Sequence, residues 1–129
     1  MSIELGKFSS MLPLPATERW PTGVWDTEAF SHGSMSVILF TPRGTDHQTS
    51  HQQDELYVVL AGSGTLIIGD KGHPFGVGDV LFVPATVTHR FSDFTQDLVT
   101  WAVFWGPKGG EGNLTSGSSQ PAQEAGPST

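Results

Sequence analysis

A histidine and a glutamate, His51 and Glu55, stand four residues apart where a hydrophobic run begins, in the stretch HQTSHQQDELYVVLAGSG at 47–64. If residues 49–59 are extended, alternate side chains share one face of the strand, so these two groups point the same way. His89, in the segment THRFS, is a third candidate. Two imidazoles and a carboxylate form a donor set that binds divalent first-row metals and leaves coordination positions open. The residue types and their spacing therefore indicate a metal site or an acid–base site.

The sequence also predicts the positions or roles of several other polar residues. Tyr57, the only tyrosine, has the same strand parity as His51 and Glu55, so its side chain is predicted to lie on the same face. Its hydroxyl is a candidate acid or donor, and a core tyrosine with a satisfied hydroxyl is the alternative. Gln53 has the same parity and is predicted either to bind a substrate or to lie in a solvated loop. Asp54 has the opposite parity, which predicts a charged outer-face position, while His32 and His73 are predicted to lie on the surface.

The elements that must position these residues read as short strands. They are rich in β-branched and aromatic residues and are separated by Gly, Pro or Asp. Segments 62–64 and 70–72 predict tight turns because both contain glycine. Six or more strands at about ten-residue spacing, with no helical period between them, predict an antiparallel sandwich or barrel. The predicted strands cover residues 34–41, 55–62, 64–69, 79–85, 88–92 and 98–105.

Composition divides the chain into three segments. Residues 1–33 contain prolines that break any long helix, and they also contain Trp20 and Trp25, which predict packing on the domain. Residues 34–105 form the predicted β-domain. Residues 106–129 are rich in Gly, Ser and Pro and have one large aliphatic side chain, so they are predicted to be a flexible tail.

Bulk properties exclude several classes of function. At 129 residues the chain is predicted to be one domain. The formal net charge is −7, with six Lys and Arg against thirteen Asp and Glu, so the basic stripe of a nucleic-acid binder is missing. No run approaches the length of a membrane span, and the N-terminus lacks the order of a signal peptide, so we expect a cytoplasmic protein without a membrane partner. With no cysteine, disulfides and thiolate metal sites are excluded.

The sequence resembles the cupin superfamily, small β-barrels with two sequence motifs. The first motif is glycine, five residues, His-x-His, three or four residues, Glu, six residues and glycine. This chain contains the second half of that motif, from its second histidine to the closing glycine. The second motif is glycine, five residues, Pro-x-Gly, two residues, His, three residues and Asn. The matching residues are His51, Glu55 and Gly62 in the first motif and Gly78, Pro84, His89 and Asp93 in the second. The resemblance covers about residues 34–105 and implies an all-β, double-stranded β-helix (jelly-roll) barrel with an extended N-terminal segment.

Three positions depart from the family's pattern. Thr49 stands where the first motif has its first histidine, Thr86 replaces a glycine and Asp93 replaces the closing asparagine. By resemblance, His51, Glu55 and His89 carry over as metal ligands, and Thr49 does not. Three alternatives stay open: three protein ligands plus water, a replacement ligand from His47 or Gln48, or a metal-free site that does acid–base work. We refer below to His51, Glu55 and His89 as the His–Glu–His cluster.

The resemblance implies a metalloprotein that acts on a small organic molecule as a dioxygenase, lyase or isomerase. The cluster, with His47 as a candidate fourth ligand, would hold Fe, Mn, Ni or Zn, and the cluster and Tyr57 are the candidate catalytic residues. One alternative is a metal-free dehydratase, lyase or isomerase in which the cluster moves protons. Another is a non-catalytic barrel that binds a small ligand, because one fold supports many functions. The resemblance also implies a homodimer paired through a sheet edge.

Overall fold

The computed structural model describes residues 1–112, and it consists mainly of antiparallel strands. One short helix, α1, spans Leu5–Ser9. The strands are β1 (Asp26–His32), β2 (Met35–Phe40), β3 (Asp54–Ala61), β4 (Gly64–Ile68), β5 (Lys71–Phe75), β6 (Val80–Val83), β7 (His89–Ser92) and β8 (Val99–Trp105). Within residues 1–112, no helix has the length and apolar character needed to cross a membrane.

The strands form two sheets that enclose the core. One sheet has five strands in the order β1-β2-β8-β3-β6, and the other has three in the order β5-β4-β7. Every pair is antiparallel. Burial in β3 and β8 alternates along the strand, as expected when one face lies on the core. The core side chains are Phe40, Tyr57, Val59, Leu66, Phe75, Val83, Phe91, Leu98, Ala102 and Phe104. The predicted all-β jelly-roll architecture is confirmed.

Six of the eight strands lie where the sequence predicts them, and the two others are edge strands. The segment at 70–72 is not a turn as predicted, because the turn lies at residues 69–70 and Lys71 already begins β5. β5 is largely exposed and contains Pro74, which an edge strand tolerates because proline has no N–H and the outer side of this strand has no neighbour that would need one. β1 is polar and half-exposed, so its sequence lacks a strand pattern.

The two flanking segments both contact the barrel. In the N-terminal segment, β1 pairs with β2 and a bridge joins Leu14 to Val24. In the predicted tail, the Gly109 amide donates to the Gln52 carbonyl at 2.7 Å. Residues 106–111 are therefore attached to the barrel, whereas the rest of the predicted tail, 113–129, lies outside the described residues.

Asp54 also differs from its prediction as an outer-face charge. It is buried, and its carboxylate accepts the Ala85 amide at 2.9 Å and the Glu111 amide at 3.0 Å. A buried carboxylate needs such donors to offset its lost hydration. Asp54 thus fastens the end of β6 and the segment after β8 to the start of β3.

Candidate metal centre

The centre of the site is a contact between the two sheets. Glu55 lies on the inward face of β3 and His89 on the inward face of β7, each two residues before a buried aromatic side chain. Facing sheets bring His89 Nε2 to 2.9 Å from Glu55 Oε1. Both side chains are almost fully buried, at 1% and 2% exposure respectively. The strand parity predicted from the sequence places these two groups correctly.

His51 reaches the same point from a loop. β3 begins at Asp54, so the strand does not include residues 49–53 and strand parity does not place His51. The His51 carbonyl accepts the Thr86 amide at 2.6 Å, and its ring packs edge-on against Phe104 at 4.7 Å between centroids. Its Nε2 lies 3.9 Å from Glu55 Oε1, and its side chain is 34% exposed. The loop therefore presents one half-exposed imidazole to a buried carboxylate and a second, buried imidazole.

Gln53 helps to fix this loop. Its amide nitrogen donates to the Ser34 carbonyl at 2.8 Å and to the Gly106 carbonyl at 3.0 Å. These bonds connect the loop before β3 to the β1–β2 turn and to the segment after β8. The Gln53 side chain is therefore neither a free solvated amide nor a group directed at the cluster.

Two facing acceptor atoms characterise the buried half of the cluster. His89 Nδ1 lies 3.0 Å from the Val87 carbonyl. A carbonyl only accepts, so Nδ1 carries the proton, and Nε2 of the neutral ring presents a lone pair. That lone pair faces Glu55 Oε1, and neither buried atom has a hydrogen-bond partner among the described residues. Such a pair is stable only with a cation between the two atoms, either a proton or a metal ion.

The ligand atoms of the whole cluster lie within 4.8 Å of one another. Each of the three residues offers one donor atom, and the tautomer of His89 is already the one that a metal needs. The residues therefore fit a divalent metal ion of the kind that nitrogen and oxygen ligands bind.

The two histidines have opposite electrostatic environments. Burial lowers the pKa of His51, and the positive charges of His89 and Arg19 lower it further, against the opposing effect of Glu55. Burial also lowers the pKa of His89, but the bond that a protonated Nε2 would donate to Glu55, the bond to the Val87 carbonyl and the nearby negative charges outweigh it. The net pKa of His89 is raised. In the metal-free protein, the proton between the facing acceptors therefore belongs on His89.

A second network holds Gln48 beside the cluster. The buried Asp46 carboxylate accepts the Gln48 side-chain nitrogen at 2.6 Å and the Phe91 amide at 2.8 Å. Because a carboxylate only accepts, the amide nitrogen of Gln48 must face Asp46, which directs Oε1 the other way. Oε1 accepts the Tyr57 hydroxyl at 3.0 Å and lies 3.5 Å from His51 Nε2. The neutral amide oxygen of Gln48 is thus fixed at the cluster.

This network determines the positions of the remaining predicted residues. Tyr57 is fully buried, its hydroxyl is bound to Gln48, and burial with nearby negative charge raises its pKa well above the usual value. It positions Gln48 and lines neither of the cavities described below. His47 is exposed and packs edge-on against Trp20 at 5.3 Å, outside the cluster. Thr49 is exposed.

Two cavities meet the site from different sides. The main cavity, about 580 Å³, is lined by His51 and Glu55 and by five residues of the segment 17–26, which we call the N-terminal wall. The five are Thr17, Arg19, Trp20, Val24 and Asp26. A second cavity of about 300 Å³ is lined by His89 and Arg90, and Gln48 and Thr49 line both. The small side chain of Thr49, where the family has a histidine, therefore stands between the two cavities.

Comparison with known proteins agrees with this geometry. The family model described as Cupin domain matches residues 36–104, more than half of the chain. The chain belongs to the cupin family. This cupin is also 38% identical, over 77 residues, to an uncharacterized protein of Streptomyces coelicolor. The matched region covers 58% of this chain and 73% of that relative.

Solved structures show the same barrel. A Cupin 2 conserved barrel domain protein from Salinispora arenicola is 18% identical with a TM-score of 0.54, covering 63% of this cupin and 74% of that chain. The DMSP lyase DddQ from Ruegeria pomeroyi is 20% identical with a TM-score of 0.54, covering 63% and 46%. A variant of Streptomyces PAC13 with uridine is 17% identical with a TM-score of 0.52, covering 62% and 66%. At these identities the likeness supports the fold alone.

Sequence reasoning missed the residues that surround the cluster. Asp46 carried a local signal, since its carboxylate accepts the Gln48 backbone amide two residues on, as Asp commonly does in turns. The side chains of Arg19 and Asp26 on the N-terminal wall carried no such signal, whereas the predicted packing of Trp20 on the domain is confirmed. Their positions depend on how the segment before β1 folds back over the barrel.

Proposed function

We propose that this cupin is a metal-dependent lyase or isomerase acting on a small organic molecule in the main cavity. His51, Glu55 and His89 would hold one divalent ion of the Fe, Mn, Ni or Zn type. The observation that carries the proposal is the pair of buried acceptors, Glu55 Oε1 and His89 Nε2, facing each other at 2.9 Å without a hydrogen bond. A bound cation would relieve the repulsion between the two lone pairs.

Gln48, and not His47, would supply the fourth protein donor in place of Thr49. Its Oε1 lies 3.5 Å from His51 Nε2 and is directed there by Asp46. His47 is held against Trp20 instead. An amide oxygen is a weaker metal donor than imidazole, so this site should bind its ion less tightly than a site with three histidines.

The cavity supports chemistry on a polar substrate in an enclosed space. When bound, a divalent metal supplies a Lewis acid that polarises a substrate oxygen. The apolar walls from Phe40 and Phe104 keep water away from the reacting atoms. Asp26, half-buried on the N-terminal wall with a pKa raised by burial, is the side chain outside the cluster that can accept a substrate proton. The same barrel serves a DMSP lyase and a protein that binds uridine, which supports a small-molecule substrate.

Metal analysis is the direct test. Protein purified without chelator, then stripped and reloaded with each of the four ions, is expected to bind about one ion per chain. Gln48→Ala should weaken binding about tenfold, within the range seen when groups that orient or complete a metal site are lost. The matched control is Gln96→Ala, which removes an exposed glutamine whose oxygen caps only the Gly44 amide. Stoichiometry near zero after reloading with every ion would refute the proposal.

A metal-free acid–base site is the second candidate, and the same pair of atoms favours it. With the proton on His89, the 2.9 Å contact becomes an imidazolium–carboxylate pair. NMR of the His89 ring in chelator-treated protein would show this protonated state. If the ring stays protonated when each metal ion is added, this candidate replaces the metalloenzyme.

Cytoplasmic location and a homodimer stay predictions.

A further inference from the structure

We infer that the main cavity selects a small organic monocarboxylate, with the carboxylate bound by Arg19 and an apolar or aromatic body against Trp20 and Phe40. The inference rests on the proposed function for the end of the ligand that reaches the cluster and for the net charge of the metal-loaded cavity. Arg19 lies outside the two cupin motifs, in the segment before the barrel. It would therefore determine the specificity of this chain within a widespread fold.

The backbone fixes Arg19 at the cavity. Thr17 and Trp20 close a turn around it, since the Thr17 amide donates to the Trp20 carbonyl and the Trp20 amide donates to Thr17 Oγ1, both at 3.1 Å. Trp20 in turn packs edge-on against the buried Phe40 at 6.3 Å. The side chain of Arg19 lines the cavity next to these rings. An exposed arginine with a fixed backbone is a suitable anchor for an anion.

Local charge indicates the sign of the ligand. Arg19 is the one lysine or arginine among the residues that line the main cavity. It forms no salt bridge with the acidic residues in 1–112. In a chain with a net charge of −7, an anion would approach the cavity only where such a local positive charge attracts it.

The balance of charges points to a monoanion. Asp26 and Glu55 line the same cavity as Arg19, so these side chains together carry one net negative charge. A divalent ion in the cluster would turn this into one net positive charge. A phosphate or a dicarboxylate would then have more negative charge than the cavity neutralises. A single carboxylate matches both the charge and the two-pronged geometry of one guanidinium group.

The other walls suit an apolar body. Trp20, Phe40 and Phe104 contribute aromatic surface, and Ile38 and Ala102 contribute aliphatic surface. Apolar walls with a few polar groups are the usual composition of small-molecule sites, and about 580 Å³ lies within their range of sizes. An aromatic ring is the simplest body that contacts these walls.

Benzoate and benzamide provide the test, because they differ in charge and share one shape. Calorimetric titrations would use metal-loaded and metal-stripped wild-type protein, Arg19→Gln and Arg19→Lys. Lys71→Gln is the matched control, since it removes the same charge from the exposed β5. Metal-loaded wild type and control should bind benzoate about fivefold more tightly than benzamide, a modest ratio because Arg19 is exposed. The stripped proteins should show a smaller preference, because their cavity carries one net negative charge.

Arg19→Gln should lose this preference with benzamide affinity unchanged, and Arg19→Lys should keep part of it because lysine lacks the planar fork. A preference that survives in Arg19→Gln would overturn the inference, as would equal affinity, or no measurable affinity, of wild type for both probes. Metal content measured in the same samples tests the proposed function separately. A chain that binds no metal but shows the Arg19-dependent preference would keep the inference and lose the metalloenzyme.

Discussion

The two sides of the main cavity are built differently. One side is formed by the two cupin motifs, and we call it the motif side. There, Glu55 and His89 belong to hydrogen-bonded strands and are almost fully buried. On the N-terminal wall, residues 17–24 are held by one bridge, from Leu14 to Val24, a few turn hydrogen bonds and the packing of Trp20. Only the last two residues of the wall, 25 and 26, are joined to the barrel by backbone hydrogen bonds and strand pairing. The motif side therefore has the rigidity that a metal site needs, whereas the wall can vary without disturbing the barrel.

This difference separates chemistry from selectivity. Removing a group on the motif side should change metal binding, while removing one from the wall should change ligand binding and stability only. The two histidines show the same contrast on a smaller scale. His89 has no contact with the main cavity, while the half-exposed His51 lines it.

The largest effect is expected from Glu55→Gln. The glutamine amide can donate to His89 Nε2, which replaces two facing acceptors by a hydrogen bond. Metal affinity should fall by more than about a hundredfold, because a neutral ligand replaces the only carboxylate of the cluster. At a pH above the folded pKa of His89, where the ring is neutral, the metal-free protein should instead gain about 1 kcal/mol of stability. Metal titration and chemical unfolding of the stripped protein measure the two effects.

Asp54→Asn is the matched control on the neighbouring residue. It places an amide nitrogen beside one of the Ala85 and Glu111 amides that Asp54 now binds. We expect a loss of about 2 kcal/mol with metal binding retained, the opposite of Glu55→Gln. If Glu55→Gln kept its metal, the assignment of the motif side would be wrong.

On the N-terminal wall, Trp20→Ala should lower the free energy of unfolding by about 2 kcal/mol, since the ring is half-buried. Metal stoichiometry should not change. Trp105→Ala is the control, because this half-buried tryptophan packs against Phe82 away from the main cavity. Loss of metal in Trp20→Ala alone would show that the wall also supports the cluster.

The pH dependence distinguishes the two histidines. The pKa of folded His89 is raised above the usual 6.5. Its protonation therefore stabilises the metal-free protein fully below the unfolded pKa, and this contribution is lost as the pH rises through the folded pKa. Metal needs the neutral ring, so its affinity should fall about tenfold per pH unit below that folded pKa. His51, with a lowered pKa, should stay neutral over this range.

Unfolding curves of stripped protein and metal titrations at matched pH values measure both trends. They should run in opposite directions. A metal affinity that stays constant as the pH falls through the usual histidine range would contradict the assignment of His89 as a ligand.

The sequence predicted the motif side because its constraints are local. Strand parity fixes the direction of Glu55, and the motif glycine Gly62 adopts a positive φ of 85° where a Cβ would lie 2.7 Å from the Leu98 backbone. The positions of Arg19 and Asp46 depend instead on contacts between segments far apart in sequence. His51 illustrates both cases, since its position in the cluster followed from the motif spacing but its loop conformation did not.

Thr86 offers the smallest and most local test. It stands where the family has glycine, and its φ is +70°, a conformation that is strained for a β-branched residue. Its side chain is exposed and has no hydrogen bond within residues 1–112, while its amide holds the His51 carbonyl. Thr86→Gly should therefore stabilise the protein by about 1 kcal/mol, since relief of strain outweighs the added entropy of the unfolded chain.

Asp93→Gly is the control at the other left-handed residue, with a φ of +51°. Aspartate tolerates this conformation better than threonine, so its replacement should give a smaller gain or none. Unfolding midpoints compare the two. If Thr86→Gly were less stable than the wild type, the expected relief of strain would be contradicted. Thr86 would then stabilise the loop that carries His51, and it would count among the residues that support the motif side of the cavity.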